Sequence, residues 1–340
     1  MGASQSYTRP AQIASKFFPA FAAALPSLAG KAVAVTGSTT GTGLVAALAF
    51  ARRGAHVLLL NRPSARAEAA REAVAAAAAG VAGARVTAVD CDLQSFESVR
   101  RAAAAVRAAV GDGGLDVLLN NAGVMALPDE VTADGHEVQM QTNHLAHFLL
   151  SRELFAQLER AAELRGDARI VNHSSGARLF PHKKLEARYF AKGAAGQLGG
   201  DGASMLFGGA RWVRYHMTKL ANAVFTVALN ERLEARGSRV RAFVAAPGLA
   251  ATNLQVTTAG AGGMAETWIM RWAQSAEDGA MGIIACATCP IAEAAGRVIF
   301  EPAGMGGKPV KKPLEAICTD AAARKLLWEE SERAVGPWQL

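Results

Sequence analysis

Cysteine is scarce in this chain: 340 residues contain four, Cys91, Cys286, Cys289 and Cys318. Four at those positions give no disulfide framework for so long a polypeptide, and they point to a reducing compartment. The Cys286-Ala-Thr-Cys289 spacing matches half a zinc site or a redox pair. Neither context accompanies it, so two buried thiols on an apolar helix and no metal are expected. Long hydrophobic runs are also absent. The apolar stretch 17–28 is broken by Pro19 and Pro26 and is too short to span a bilayer. Acidic residues are missing before Glu68, and the Ser- and Arg-containing start leaves room for a transit-peptide remnant. Met1-Gly2-Ala3-Ser4-Gln5-Ser6 fits the N-myristoylation pattern. Residues 1–30 are read as an arm that packs on the body of the protein or covers its site. An intracellular, cytoplasmic setting is expected, with organellar targeting, lipidation and peripheral membrane contact left open. The net charge of +7 is spread over scattered Lys and Arg, which argues against nucleic acid and for an anionic small molecule. Tyrosine is rarer still, with only Tyr7, Tyr189 and Tyr215.

What is abundant is apolar and small: 51% of residues are hydrophobic and 34 are glycine, ample for a large buried core. From residue 31, Val-, Leu- and Ile-rich runs at 32–36, 56–60, 85–89, 117–120, 169–172 and 239–245 alternate with helix-length stretches at 41–53, 64–79, 95–110, 133–165 and 211–236. Short continuous apolar strands alternating with crossover helices predict an α/β, Rossmann-type doubly wound parallel sheet with helices on both faces, in a single domain. The Ala-rich 75–79 segment reflects helix propensity, and there is no internal repeat. Residues 178–210 break the rhythm with seven glycines from Gly193 to Gly209, an insertion expected to act as a substrate lid.

Thr36-Gly37-Ser38-Thr39-Thr40-Gly41-Thr42-Gly43 follows a strand and opens a helix, so its backbone N–H groups can approach a pyrophosphate. At the end of the second strand, where an NAD enzyme places an acid for the ribose 2′-hydroxyl, stand Asn61 and Arg62. A guanidinium pairs with a 2′-phosphate, which favours NADPH/NADP+ over NADH. Tyr215 and Lys219 are one helical turn apart, and a cation beside a phenol stabilises the phenolate and lowers its pKa. Tyr7 and Tyr189 have Ala11 and Gly193 at the matching position, so Tyr215 is the candidate proton shuttle.

Thr36–Gly43, Asn120-Asn121-Ala122-Gly123, Asn143, Ser174-Ser175, Tyr215/Lys219 and Pro247-Gly248-Leu249-Ala250-Ala251-Thr252 together resemble the classical short-chain dehydrogenase/reductase family over about residues 31–255. Leu220-Ala221-Asn222 and Leu327-Trp328-Glu329-Glu330-Ser331 resemble its retinol-dehydrogenase-like branch. The resemblance implies a dinucleotide-binding catalytic domain at 31–318 and a C-terminal helix or tail at 319–340. It implies that Ser175 polarises a substrate carbonyl, Tyr215 gives or takes the proton, Lys219 holds the nicotinamide ribose and Asn143 binds a relay water. Gly37, Thr39, Thr40, Gly41 and Thr42 would meet the pyrophosphate, Asp92 and Leu93 the adenine, and Asn121, Ala122 and Gly123 the adenosine side. Pro247, Gly248 and Thr252 would close over the nicotinamide.

One departure is that Ser175 and Tyr215 are 40 positions apart because the insertion lies between them, which leaves Ser174 as the alternative serine. His144, His147, His173 and His216 lack metal-site spacing and are expected in the core or on the surface, with His173 and His216 near substrate. Leu206, Phe207, Trp212, Leu254, Met264, Trp268, Met270 and Trp272 offer either a pocket for a lipophilic carbonyl or alcohol or further core. Double-bond reduction on the same fold and a noncatalytic NADPH-binding regulator are the competing readings. The resemblance suggests a homodimer through helices 133–165 and 211–236, or a monomer where the insertion or the N-terminal arm blocks that assembly.

Overall fold

The computed structural model describes residues 13–180, 184–193, 196–199, 209–251, 272–291 and 297–340. Among them, eight strands form one sheet: β1 Ala32–Thr36, β2 His56–Asn61, β3 Arg85–Asp90, β4 Val117–Asn120, β5 Ala168–His173, β6 Val240–Ala245, β7 Val298–Pro302 and β8 Pro309–Pro313. Their order is β3-β2-β1-β4-β5-β6-β7-β8, parallel throughout except for the antiparallel β7–β8 pair. β1, β4 and β5 are buried at every position, as their uninterrupted apolar runs require when helices cover both faces. Chain order reverses between β1 and β4, which opens a crevice at their carboxyl ends.

The helices are α1 Phe18–Ala23, α2 Gly41–Arg52, α3 Ala65–Ala78, α4 Phe96–Val110, α5 Val138–Met140, α6 Ala146–Glu153, α7 Phe155–Arg165, α8 Ala210–Ala235, α9 Ala276–Thr288, α10 Ala316–Thr319 and α11 Ala321–Val335. Ser64, Ser95, Ser275 and Asp320 cap their helices by accepting an N-terminal N–H, the role that short polar side chains favour. Two apolar clusters lie on opposite sides of the sheet. One joins α4, α6, α7, α8 and α11, and the other joins α1, α2 and α9.

One expectation is corrected. The single helix at 133–165 is instead α5, a π turn over Gln141–Leu145, α6 and α7. Gly135 at φ 89° and the Val131–Glu137 bridge hold 131–137 in a turn, and Glu137 caps α5. Of the two arrangements open to the arm, its described part takes the first and packs on the body of the protein. Asp278 on α9 accepts from Ser15 Oγ and from the N–H groups of Lys16, Phe17 and Phe18, which fixes the arm over the α2/α9 layer. α11 packs against α8, with Trp328 against Phe225. No helix among the described residues is long and apolar enough to cross a membrane. Cys286 is buried within α9, while Cys289 lies just past its end, half-buried.

Candidate active site

The glycine turn is stapled to the end of β4. The Thr36 hydroxyl accepts the N–H groups of Asn121 and Ala122, and Asn121 Nδ2 donates to the carbonyls of Thr36 and Gly37 at 2.9 and 3.2 Å. That proximity leaves no room for side chains. A Cβ on Gly43 would lie 2.4 Å from the Gly37 oxygen, and one on Gly37, at φ 67°, would lie 2.8 Å from Ala122 Cα. Thr40 starts α2 without a side-chain cap, and no acid occupies the first turn, so the helix presents free N–H groups and an unopposed dipole. Such an end attracts anions. Asn61 accepts from Ser38 N at 2.8 Å and donates to Ser38 Oγ at 2.9 Å, and so shapes the turn from the β2 side.

At the catalytic end, α8 buries Tyr215 and Lys219 one turn apart. Ser175 shares this end of the cavity with Tyr215 and is the polar neighbour that acts on its phenol. Lys219 Nζ lies 5.7 Å from the Tyr215 ring centre and donates to the His173 carbonyl at 3.1 Å. Burial pushes the Tyr215 phenol up to about 12, opposed by the Ser175 hydroxyl, and pushes the Lys219 ammonium down to about 8. The expectation of a lowered phenol is thus reversed, because desolvation outweighs the pull of the neighbouring hydroxyl. Ser174 donates to the Lys219 carbonyl at 2.7 Å, so it is Ser175 and not the alternative Ser174 that meets the phenol.

Asn143 sits in the π turn behind these groups. Its Oδ1 accepts from Val124 N at 2.8 Å, and its Nδ2 donates to Val124 O and Thr218 Oγ1, each at 2.9 Å. The side chain is thereby committed to bracing Gly123–Val124. His144, His147 and His173 are core residues that burial holds far below the ordinary imidazole range, at about 3, 4 and 3. His144 bonds Ser331, His147 bonds Thr36 and the Asn143 carbonyl, and His173 bonds Asn121. His216 is buried against the rings of Trp212 and Tyr215. No group of three or more metal-ligating side chains occurs among the described residues.

A cavity of about 1040 Å³ runs between the two ends. Gly37, Thr39, Thr40, Gly41, Thr42, Asn61, Arg62, Asp92, Leu93, Asn121, Ala122, Gly123, Ser175, Tyr215, Lys219, Pro247 and Gly248 line it. Asn143 stands behind its wall, and Thr252 lies outside the described residues, as do Leu206, Phe207, Leu254, Met264, Trp268 and Met270. Trp212 lines the cavity, edge-on to Tyr215 at 6.2 Å, whereas Trp272 is 57% exposed. Within 178–210, Tyr189 and Phe190 are buried, Phe190 edge-on to His144, so that part of the insertion belongs to the core.

Sequence reasoning missed several wall residues. Arg66, one turn beyond Arg62, lines the same end, and its signal was the i, i+4 spacing of two arginines at a helix start. Glu301, Met305 and Lys312 enter from the β7–β8 hairpin. Apolar residues 298–300 followed by Gly304, Gly306 and Gly307 carry a hairpin signal that would have found it. The Met305 carbonyl accepts from Leu249 N at 2.7 Å, pressing the hairpin onto the Pro247–Leu249 turn.

Residues 31–198 match the short chain dehydrogenase family. The chain is 38% identical over 229 residues to a probable oxidoreductase of Streptomyces antibioticus, covering 67% of each. It is 34% identical over 234 residues to human retinol dehydrogenase 13, covering 67% of this chain and 61% of that protein. A solved structure of an uncharacterized protein from Mycobacterium paratuberculosis superposes with a TM-score of 0.70 at 32% identity, covering 94% of this chain and 98% of that one. The chain spans 59–64% of the length of the four curated relatives led by a fission-yeast oxidoreductase.

Proposed function

The chain belongs to the short-chain dehydrogenase family, in its retinol-dehydrogenase-like branch, and from that premise we propose that it uses NADPH to interconvert a carbonyl and an alcohol on a lipophilic substrate. The family's oxidoreductases bind nicotinamide dinucleotides on a Rossmann fold. The observation that carries the finer reading is the convergence of Ser175, Tyr215 and Lys219 on one end of a cavity whose other end holds Arg62 and Arg66.

The residues present fit a dinucleotide. The uncapped N-terminus of α2 and the side-chain-free Gly37 and Gly43 suit a pyrophosphate pressed against backbone. Arg62 and Arg66 suit a 2′-phosphate, Asp92 and Leu93 would hold the adenine, Asn121–Gly123 the adenosine side, and Pro247 and Gly248 the nicotinamide. Bound NADPH supplies the hydride. Ser175 holds the substrate oxygen beside Tyr215, whose burial keeps the phenol protonated at neutral pH and ready to donate. Lys219, charged below about pH 8, stabilises the tyrosinate as the proton leaves and orients the ribose. Asn143 shapes the alcove around Lys219 by holding Val124. The apolar side chains Met125, Leu127, Trp212 and Leu249 face the reacting end and favour a lipophilic substrate.

Thermal stabilisation with NADPH and NADH, measured on the native chain, Arg62→Ala and Arg66→Ala, tests the cofactor. A shift larger with NADPH and reduced in both variants is expected, because a bound ligand stabilises by mass action. A panel of aldehydes and ketones beginning with retinal, with Tyr215→Phe as control, tests the chemistry by product mass. Tight binding without turnover would favour a regulator, and a saturated carbonyl product from an enone would favour double-bond reduction.

A further inference from the structure

Arg178 follows Ser175 by three residues, on the 3₁₀ turn Gly176–Leu179, and its side chain is 1% exposed. A guanidinium does not shed its proton, so at that depth its charge must be met by partners. Its Nε and Nη2 donate to the two oxygens of Glu315 at 3.0 and 2.6 Å. Its Nη1 donates to Glu301 Oε2 at 2.8 Å and to the Ser175 carbonyl at 3.2 Å. The other Glu301 oxygen accepts from Lys312 Nζ at 3.2 Å. Two cations and two anions thus tie the turn after β5 to the β7–β8 hairpin and to Glu315 beyond it. Glu301 and Lys312 also line the cavity, so the network forms part of its wall.

Networks of buried charge add little stability over an apolar core of the same shape, and their best-supported use is to specify geometry. The geometry specified here is that of a hydroxyl. Ser175 Oγ accepts from Ala177 N at 3.2 Å, and Ser175 lines the same end of the cavity as Tyr215. Ala177 lies inside the turn that Arg178 clamps through the Ser175 carbonyl, which also accepts the Arg178 amide at 3.1 Å. We propose that Arg178, with Glu301 and Glu315 as counter-charges, is a positioning residue that holds the Ser175 hydroxyl against Tyr215. The inference rests on the reading of Ser175 and Tyr215 given above.

The test has a readout that needs no substrate. With three tyrosines in the chain, isotope labelling at tyrosine Cζ gives a resonance for Tyr215, assigned by its loss in Tyr215→Phe. Arg178→Met and Ser175→Ala should each move that resonance in the same sense, and Arg178→Met should add nothing in the Ser175→Ala background. On a carbonyl that is turned over, Arg178→Met should lower kcat about tenfold and leave dinucleotide Kd within about twofold, with partial recovery in Arg178→Lys. The kcat effect should likewise vanish in the Ser175→Ala background. Should Arg178→Met fail to fold, Glu301→Gln carries the test, since it keeps the Arg178–Glu315 fork and neutralises a partly exposed group. A Tyr215 resonance unmoved in Glu301→Gln and in whichever Arg178 variant folds overturns the inference, as does an equal loss of kcat with and without the Ser175 hydroxyl. Loss of the cofactor reading would show separately, as absence of dinucleotide binding in the native chain, and the resonance test would still decide.

Discussion

Replacing Lys219 with Met should stabilise the protein while abolishing turnover. The native ammonium is held at about 8 against an ordinary 10.5, purely by burial. Each pKa unit corresponds to about 1.4 kcal/mol, so keeping that proton in the folded state near pH 7 costs about 3 kcal/mol. The sign follows from proton counting. Between 8 and 10.5 the unfolded chain binds more protons than the folded one, so native stability rises with pH through that window, and below it the full cost is present. Methionine has a similar volume and no charge, and it orphans nothing, because the His173 carbonyl that Lys219 meets also accepts Asn222 Nδ2 at 3.1 Å. Urea unfolding without dinucleotide should therefore show Lys219→Met more stable by about 3 kcal/mol at pH 7 and by only about 1 kcal/mol at pH 10. A variant less stable than the native chain at pH 7, or an advantage that does not shrink toward pH 10, would refute the assignment of a strained, buried ammonium.

Other perturbations follow from the same geometry. Carbonyl reduction should proceed below about pH 8 and slow above it as Lys219 loses its proton, read from a pH profile of kcat. Gly43→Ala should lose the thermal shift with NADPH, because its methyl would meet the Gly37 oxygen and Asn121 Nδ2 at 2.4 Å. Removing Arg66 should weaken NADPH binding about tenfold or more and leave NADH nearly unchanged, measured by titration calorimetry. Trp338→Ala should cost about 3–5 kcal/mol in urea unfolding, since the indole stacks on Trp328 at 5.5 Å and meets Phe148 edge-on at 5.2 Å.

Much of the architecture could be read along the chain because parallel strands buried on both faces leave unmixed apolar runs. The glycine turn was legible for a related reason, since close backbone approach excludes every other residue. Tyr215 and Lys219 were legible through helical spacing and the rarity of tyrosine. What escaped depended on contacts between distant positions. Nothing at Arg178 announces partners 123 and 137 residues away. The π turn at Gln141–Leu145 forms where the Asn143 amide reaches back to Val124, a bond that helical periodicity does not encode. Spacing reveals a cation one turn from the phenol but not the depth of burial that pushes the phenol up.

β8 ends the sheet as Pro-Val-Lys-Lys-Pro, with a proline at each end and Val310 41% exposed. A proline offers no N–H to an incoming strand, and lysines repel their own kind across an edge. The sheet therefore cannot be lengthened by docking another chain's strand at this border. Of the sheet's two edges, β3 and β8, this one is protected against growth into fibrils.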